Sequence, residues 1–334
     1  MTQAPIPAGG AVEAGEAKTV ATTNPTRVIA KVSGGEGSFL AALTYKQRHQ
    51  PERFELLFTD TLIEDQDTYR FLIAGAAHLL GVTLPAGFLP EIADFPAWED
   101  REAYKAYVIA LAARTRALMP GFHWIMDGRD PFDVYEAERF LGNSRADPCS
   151  KILKRELSDR WLRENCIPGE TIVLVGIDDT ERARFEGSEK LKTRGLRAQM
   201  ADAGWRFEAP LIDHPVLPWV AEKLIAAAGL WRQRLVILGF SHSNCGGHCC
   251  KGGQAHWKLM LLVFPERYAY VEWREQQIRI VLGDVSMMTD RRRREGDTAT
   301  VKRPLTLADL RHRELTPAEA EETTRCACMF EEAA

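Results

Sequence analysis

Apolar and polar positions along this chain fall into short, nearly continuous apolar runs separated by longer stretches with helical spacing. The first run is Arg27-Val28-Ile29-Ala30-Lys31-Val32 and the second is Phe54-Glu55-Leu56-Leu57-Phe58. Phe122-His123-Trp124-Ile125-Met126 and Thr171-Ile172-Val173-Leu174-Val175-Gly176-Ile177 follow. Runs of this length predict strands. Between them, a helical pattern begins near Phe39. Another covers 65–80, with Phe71, Leu72, Ala76, Leu79 and Leu80 on one face. Further helices are predicted over 99–118 and 150–165. Strands alternating with helices predict an α/β fold with a mostly parallel sheet covered on both faces. After residue 230 the pattern changes. The run 235–240 predicts one more strand, 255–282 a helix, and the remainder is charged and irregular. These shifts predict a leader at 1–26, a main domain at 27–230 and a cysteine-rich C-terminal region at 231–334.

Ligands of parallel sheets bind beyond the carboxyl ends of the strands. Four polar tips fall there: 33–38, 59–61, 127–129 and 178–184. The first is Ser33-Gly34-Gly35-Glu36-Gly37-Ser38, between a strand and a helix. Its glycines let backbone approach an anion, and the new helix offers unpaired N–H groups with a positive dipole end. The loop is therefore predicted to hold a nucleotide or another phosphate or sulfate ester. The competing reading is a tight turn with no ligand.

Composition narrows the classes. The chain has 334 residues, 45% hydrophobic and 27% charged, with a formal net charge of −4. That balance gives no global pull toward nucleic acid or membrane. The one dense basic run, Arg291-Arg292-Arg293-Arg294, reads first as a solvated loop and second as a nucleic-acid contact. No apolar stretch reaches spanning length. Residues 1–26, rich in Ala, Gly, Pro and Thr, lack the basic start and apolar core of a signal peptide and read as a disordered leader. A cytoplasmic protein is the expectation, and there thiols stay reduced. The seven cysteines are odd in number and cluster late, a pattern that points to metal or redox chemistry rather than structural disulfides. Cys166 reads as ordinary core.

Several motifs in order resemble the phosphoadenosine-phosphosulfate reductase-like family of the PP-loop, or adenine nucleotide α-hydrolase-like, superfamily. Ser33 to Ser38 is similar to its Ser-Gly-Gly-x-Asp-Ser loop, and Phe58-Thr59-Asp60-Thr61 to its second strand tip. Gly176-Ile177-Asp178-Asp179-Thr180-Glu181-Arg182-Ala183-Arg184 resembles its Gly-Ile-Arg…Glu-Ser…Arg segment. Ala209-Pro210-Leu211-Ile212-Asp213, with Ala228-Gly229-Leu230 later, resembles its Pro-Leu-Ile-Asp-Trp…Gly-Leu stretch. The resemblance implies a five-stranded parallel sheet with ATP or an adenylyl sulfate over the strand tips. It implies Ser33, Gly34, Gly35, Gly37 and Ser38 at a phosphate or sulfate, Asp60 and Asp178 near the nucleotide, and Arg184 facing an anionic group. Gly37 stands where the family loop carries Asp. Magnesium-assisted ATP cleavage would then draw on Glu36, Asp60 or Glu64.

The cysteine layout also resembles this family. Cys149 precedes the basic segment Lys151, Lys154, Arg155, while Cys245, Cys249 and Cys250 lie in a glycine-rich second site. Adenylyl-sulfate reductases hold a [4Fe-4S] cluster with cysteines placed in this way. The likeness implies the same cluster here on Cys149, Cys245 and Cys249, with Cys250 as fourth ligand or one iron left open. A structural zinc on these cysteines or with His248 uses the same residue types, and reduced thiols without a metal are the third reading. His242, His248 and His256 read as core histidines or as ligands. Cys326 and Cys328 occupy a tail position similar to that of the nucleophilic cysteine in thioredoxin-dependent reductases. The expectation is an enzyme of sulfur metabolism, an oxidoreductase or sulfurtransferase that reduces an adenylyl sulfate or moves sulfur, with a thiol electron donor such as thioredoxin. The alternatives are ATP-dependent thiolation of a nucleobase and a non-catalytic nucleotide-binding module with a structural metal.

Overall fold

The computed structural model describes residues 27–190, 192–293 and 301–321. The leader at 1–26, Arg294, Cys326 and Cys328 lie outside the described residues. At the centre are five strands: β1 (Arg27–Lys31), β2 (Phe54–Asp60), β3 (Phe122–Met126), β4 (Thr171–Leu174) and β5 (Arg206–Glu208). Their spatial order is β3-β2-β1-β4-β5, and every neighbouring pair is parallel. Val28 stands opposite Phe54 on one side and Ile172 on the other. The chain moves outward from β1 through β2 and β3, then returns to the far side of β1 for β4. The strand order thus reverses between β1 and β4, which opens a crevice at their carboxyl ends.

Period-two alternation divides each strand between two cores. Val28, Ala30 and Val32 join Leu56, Phe58, Phe122, Trp124, Ile172 and Leu174 in the larger one. Three helices cover that face: α1 (Glu36–His49), α2 (Gln66–Leu80) and α3 (Arg101–Leu118). Ile29, Leu57, Val173 and Val175 point the other way, onto Leu162, Phe185, Trp205 and Phe207. Burial on both faces is why these strands read as continuous apolar runs.

The structure departs from the sequence reading in three places. The run 235–240 is no strand. It starts with the short helix Arg234–Ile237, whose Ile237 is 67% exposed. A short apolar run does not by itself distinguish strand from helix. Here Asp67 accepts the Arg234 N–H at 2.8 Å and sets the helix start. The fifth strand is instead Arg206–Glu208, three residues of which only Phe207 is buried. The predicted helix over 255–282 is two helices, Gln254–Val263 and Pro265–Leu282. Pro265 supplies no N–H and pushes Phe264 out of helical backbone (φ −138°, ψ 65°).

Among the described residues, those beyond 230 do not build a separate core. Leu235, Phe240, Cys245, Cys250, Trp257, Met260 and Tyr268 belong to the larger core beneath the sheet. An antiparallel ribbon, Met288–Asp290 with Arg303–Leu305, packs beside the last long helix. Among the described residues no helix is long and apolar enough to cross a membrane.

Candidate functional site

The loop 33–38 closes on itself through hydroxyls. Ser38 Oγ accepts the Ser33 N–H at 3.0 Å and donates to Gly35 O at 2.9 Å. Ser33 Oγ lies 3.2 Å from Ser38 Oγ. Gly34 adopts φ +79°, and a Cβ there would meet Thr68 Cγ2 at 2.8 Å, so only glycine fits this bend. Gly35 starts α1 in extended conformation, and no side chain caps the helix. The first-turn N–H groups therefore have no intrahelical acceptor. Gly37 sits above them and is exposed, with its Cβ position 3.9 Å from the nearest atom, Gly176 O. The result is an open cradle of backbone donors at the positive end of a helix.

Two other segments press against this cradle. Gly176, just after β4, touches it so closely that a Cβ would fall 2.6 Å from Ser38 Cα. On the other side, Gln233 Nε2 donates to Gly34 O at 2.8 Å, and Ser243 Oγ donates to Gln233 Oε1 at 2.5 Å. Thr68 Oγ1 donates to Ser243 O at 3.2 Å. Asn244 Oδ1 lies 3.5 Å from the Cβ position of Gly35. The residue before Cys245 thus lies against the loop.

The turn Asn244–Gly247 takes an unusual path. Cys245, Gly246 and Gly247 have φ of 58°, 56° and 83° in succession. A Cβ on Gly246 would stand 2.5 Å from Ile63 O, and one on Gly247 2.5 Å from Met260 Cε. Cys245 holds left-handed backbone without being glycine, a conformation that persists only where surroundings impose it. His248 donates its N–H to Cys245 O at 2.8 Å, its Nδ1 lies 3.1 Å from the same oxygen, and its ring stacks on Trp98 at 3.9 Å. Burial and the nearby Arg267 charge push the His248 imidazole well below its ordinary range, so it is neutral. His256 Nε2 holds Gly247 O at 2.7 Å. These two histidines serve the turn's backbone.

Buried charge supports the same turn. Lys154 Nζ points at Cys245 Sγ from 3.7 Å and at Glu64 Oε1 from 3.6 Å. Neither Lys154 nor Glu64 reaches solvent appreciably. Of the basic residues after Cys149, only Lys154 enters the site. Lys151 is exposed near Glu156, and Arg155 faces Asp147.

Cys149 arrives on the turn Pro148–Ser150 and lies beside the Cys250 thiol. Tyr135 donates its hydroxyl to Cys149 Sγ at 3.2 Å. The neighbouring Cys250 thiol, then Tyr135 and Lys154, hold Cys149 below the ordinary thiol range against burial and Asp147. The same closeness, with burial, pushes Cys250 well above it. Cys249 is buried beside Cys250. The four expected cysteines therefore share one neighbourhood next to the cradle. Among the described residues, however, no group of three or more His, Cys, Asp or Glu side chains is arranged to hold a metal ion.

Other expected residues are placed differently. Asp60 is fully buried. Its oxygens accept from Leu62 N–H at 2.7 Å, Tyr69 hydroxyl at 2.8 Å and Trp124 Nε1 at 2.9 Å. Burial pushes its carboxyl up, and it anchors the tip of β2 from inside. Asp178 is exposed and accepts the Thr180 N–H at 2.9 Å. Arg184 pairs with Glu181. Cys166 receives Arg27 Nη1 at 3.3 Å, at the amino end of β1 and so at the opposite edge of the sheet. Sequence reasoning missed Gln233 and Tyr135, for which no local pattern gives a signal. It also missed the reason for Gly142, where a Cβ would meet Tyr135 Cε1 at 2.7 Å and Cys250 Sγ at 2.9 Å.

Compared with models of protein families and with curated proteins, the chain matches none.

Proposed function

We propose that this chain is a PP-loop nucleotide-binding enzyme of sulfur metabolism that holds an adenylyl sulfate or ATP on the cradle 33–38 and brings thiols to it. One observation carries this reading: Asn244, the residue before Cys245, lies against Gly35 of the cradle. An anion site and a cluster of buried thiols therefore share one rim of a parallel sheet, where such folds bind ligands. The cradle supplies backbone donors to a phosphate or sulfate. Lys154 adds a buried positive charge beside Cys245.

In the reduction of an adenylyl sulfate the balance is simple. Two thiols become one disulfide, the sulfate sulfur gains two electrons and leaves as sulfite, and the nucleotide leaves as its monophosphate. A thioredoxin-type dithiol would restore the thiols. The test is sulfite release from adenylyl sulfates with a small dithiol present. Release that depends on Ser38 supports the reading. Binding of nucleotide with no turnover of any kind leaves a binding module instead.

A second reading, ATP-dependent thiolation of a base, draws on Glu36. This carboxylate sits on the first turn of α1, beside Gly37, with Oε1 buried and without a hydrogen-bond partner. Burial raises its proton affinity. Of the three acids expected to replace the missing Asp, Asp60 and Glu64 are fully buried, which leaves the half-buried Glu36. Pyrophosphate release from ATP, lost in Glu36→Gln, would favour this reading over sulfate reduction.

A further inference from the structure

We propose that Cys149 and Cys250 are a redox dithiol, with Cys149 the thiol that meets a sulfur electrophile and Cys250 the thiol that resolves it. The two thiols are neighbours packed against the same side chain, Tyr135. Their walls keep them together: Gly142 leaves no room for even a methyl group between its backbone and Cys250 Sγ, and Tyr135 holds Cys149 from the side. The order of roles follows from access. Cys149 is half-buried, while Cys250 is 3% exposed. An incoming substrate reaches Cys149 first, and Cys250 waits behind it. Cys245 is engaged separately by Lys154.

The step balances without a metal. The Cys149 thiolate bonds to the substrate sulfur as the bond from that sulfur to its leaving group breaks, and the leaving group takes the electron pair. Cys250 then attacks Cys149 Sγ, forming the intramolecular disulfide. The substrate sulfur departs with two electrons, and the proton of Cys250 goes to solvent or product. A small dithiol, itself oxidised to a disulfide, returns the pair to thiols. The Tyr135 hydroxyl stays hydrogen-bonded to Cys149 and steadies its anionic form.

This assignment rests on the sulfur-enzyme reading only for the identity of its substrate, so its test uses none. The full chain, purified anaerobically, is first analysed for iron and zinc and then treated with an aromatic disulfide probe. The expected result is release of both halves of the probe, with peptide mass mapping showing Cys149 linked to Cys250. Cys250→Ser should stop after the first half and retain the other on Cys149 as a stable mixed disulfide. The proposal is overturned if wild-type Cys149 keeps the probe or links to another cysteine. Stoichiometric iron or zinc that disappears in Cys149→Ser also overturns it. Wild-type mapping decides the matter even if a variant fails to fold. A chain that forms this disulfide yet binds no nucleotide would sink the function proposed above and leave the dithiol standing.

Discussion

The molecule has two glycine-rich turns at one rim, and they use glycine for opposite ends. In the cradle 33–38 Gly37 is exposed, with nothing closer to its Cβ position than Gly176 O at 3.9 Å, and hydroxyls close the loop beneath. In the turn 244–247 the space is already filled by the chain itself, by Ile63 O against Gly246 and by Met260 against Gly247. The first turn is held by neutral groups, Ser33 and Ser38. The second region is held by buried charge. Lys154 faces Glu64, and Asp65 is gripped by Arg234 at 2.5 Å and Arg267 at 2.8 Å. A turn that keeps room is built for a partner, and a turn that has none is built to be fixed. The two should therefore fail differently: the cysteine turn through stability and the cradle through binding.

The sharpest break is Gly246→Ala. A left-handed L residue costs about 1–2 kcal/mol, and a Cβ 2.5 Å from a backbone oxygen forces a shift at the upper end of the about 1–3 kcal/mol that overpacking typically costs. Together they predict a loss of about 5 kcal/mol in urea unfolding, enough to unfold many domains. A well-folded variant within about 1 kcal/mol of wild type would show that this turn has slack after all. Next is Lys154→Met, which strands Glu64 in the interior and should cost about 4 kcal/mol. Adding Glu64→Gln removes the stranded charge and should recover most of that loss. If it recovers none, the pair is not what holds Cys245 in place.

Charge dependence in the C-terminal region also predicts a pH signature. Glu275 is buried and accepts the N–H groups of Met287 at 3.2 Å and Leu307 at 2.7 Å, tying the antiparallel ribbon to the helix Pro265–Leu282. Burial pushes its carboxyl up to about 7 from an ordinary 4.5. Between those values the folded chain keeps a proton that the unfolded chain has released. This contribution is therefore fully present below the lower value and is lost as pH rises through the upper one. The shift corresponds to about 3 kcal/mol. Glu275→Gln stays neutral, so the difference in stability between variant and wild type should grow in favour of the variant across that window. A constant difference would place the titration elsewhere.

How far the sequence reached follows from the same contrast. The four long strands were legible because sheet faces buried on both sides demand continuous apolar runs, as at Val28 to Val32. The strand at Arg206–Glu208 was not, because an edge of three residues with only Phe207 buried leaves no pattern. The bend 33–38 was legible because glycines between an apolar run and a helical pattern mark a sharp strand-to-helix turn. Asp60 was legible as an acid at a strand tip, whereas the Tyr69 and Trp124 donors that its oxygens accept from were not, because they come from other elements of the chain. The cysteines were legible as a late cluster, but spacing alone does not reveal that Gly142 and Tyr135 wall in Cys250 and that Tyr135 reaches Cys149.

Smaller changes probe the cradle. Ser38→Ala removes the acceptor of the Ser33 N–H and the donor to Gly35 O, at a cost of about 1 kcal/mol. Titration with an adenine nucleotide should show a larger proportional loss in affinity than in stability, because the bend itself is what meets the anion.

Gly37→Ala gives the smallest effect on stability and the most discriminating result. Gly37 lies in the first turn of α1, and the Cβ would meet nothing closer than Gly176 O at 3.9 Å. Alanine is the better helix residue by up to about 1 kcal/mol, and an end position realises only part of that. The variant should therefore be more stable than wild type by about 0.5 kcal/mol. The added methyl nevertheless occupies the open side of the cradle, where an anion on the first-turn N–H groups must sit. Nucleotide affinity should fall as stability rises. Calorimetric titration beside urea unfolding separates the two effects. A variant that gained stability and bound nucleotide as tightly as wild type would mean that the space above Gly37 is not where the ligand lies, and the contrast between the two turns would lose its functional half.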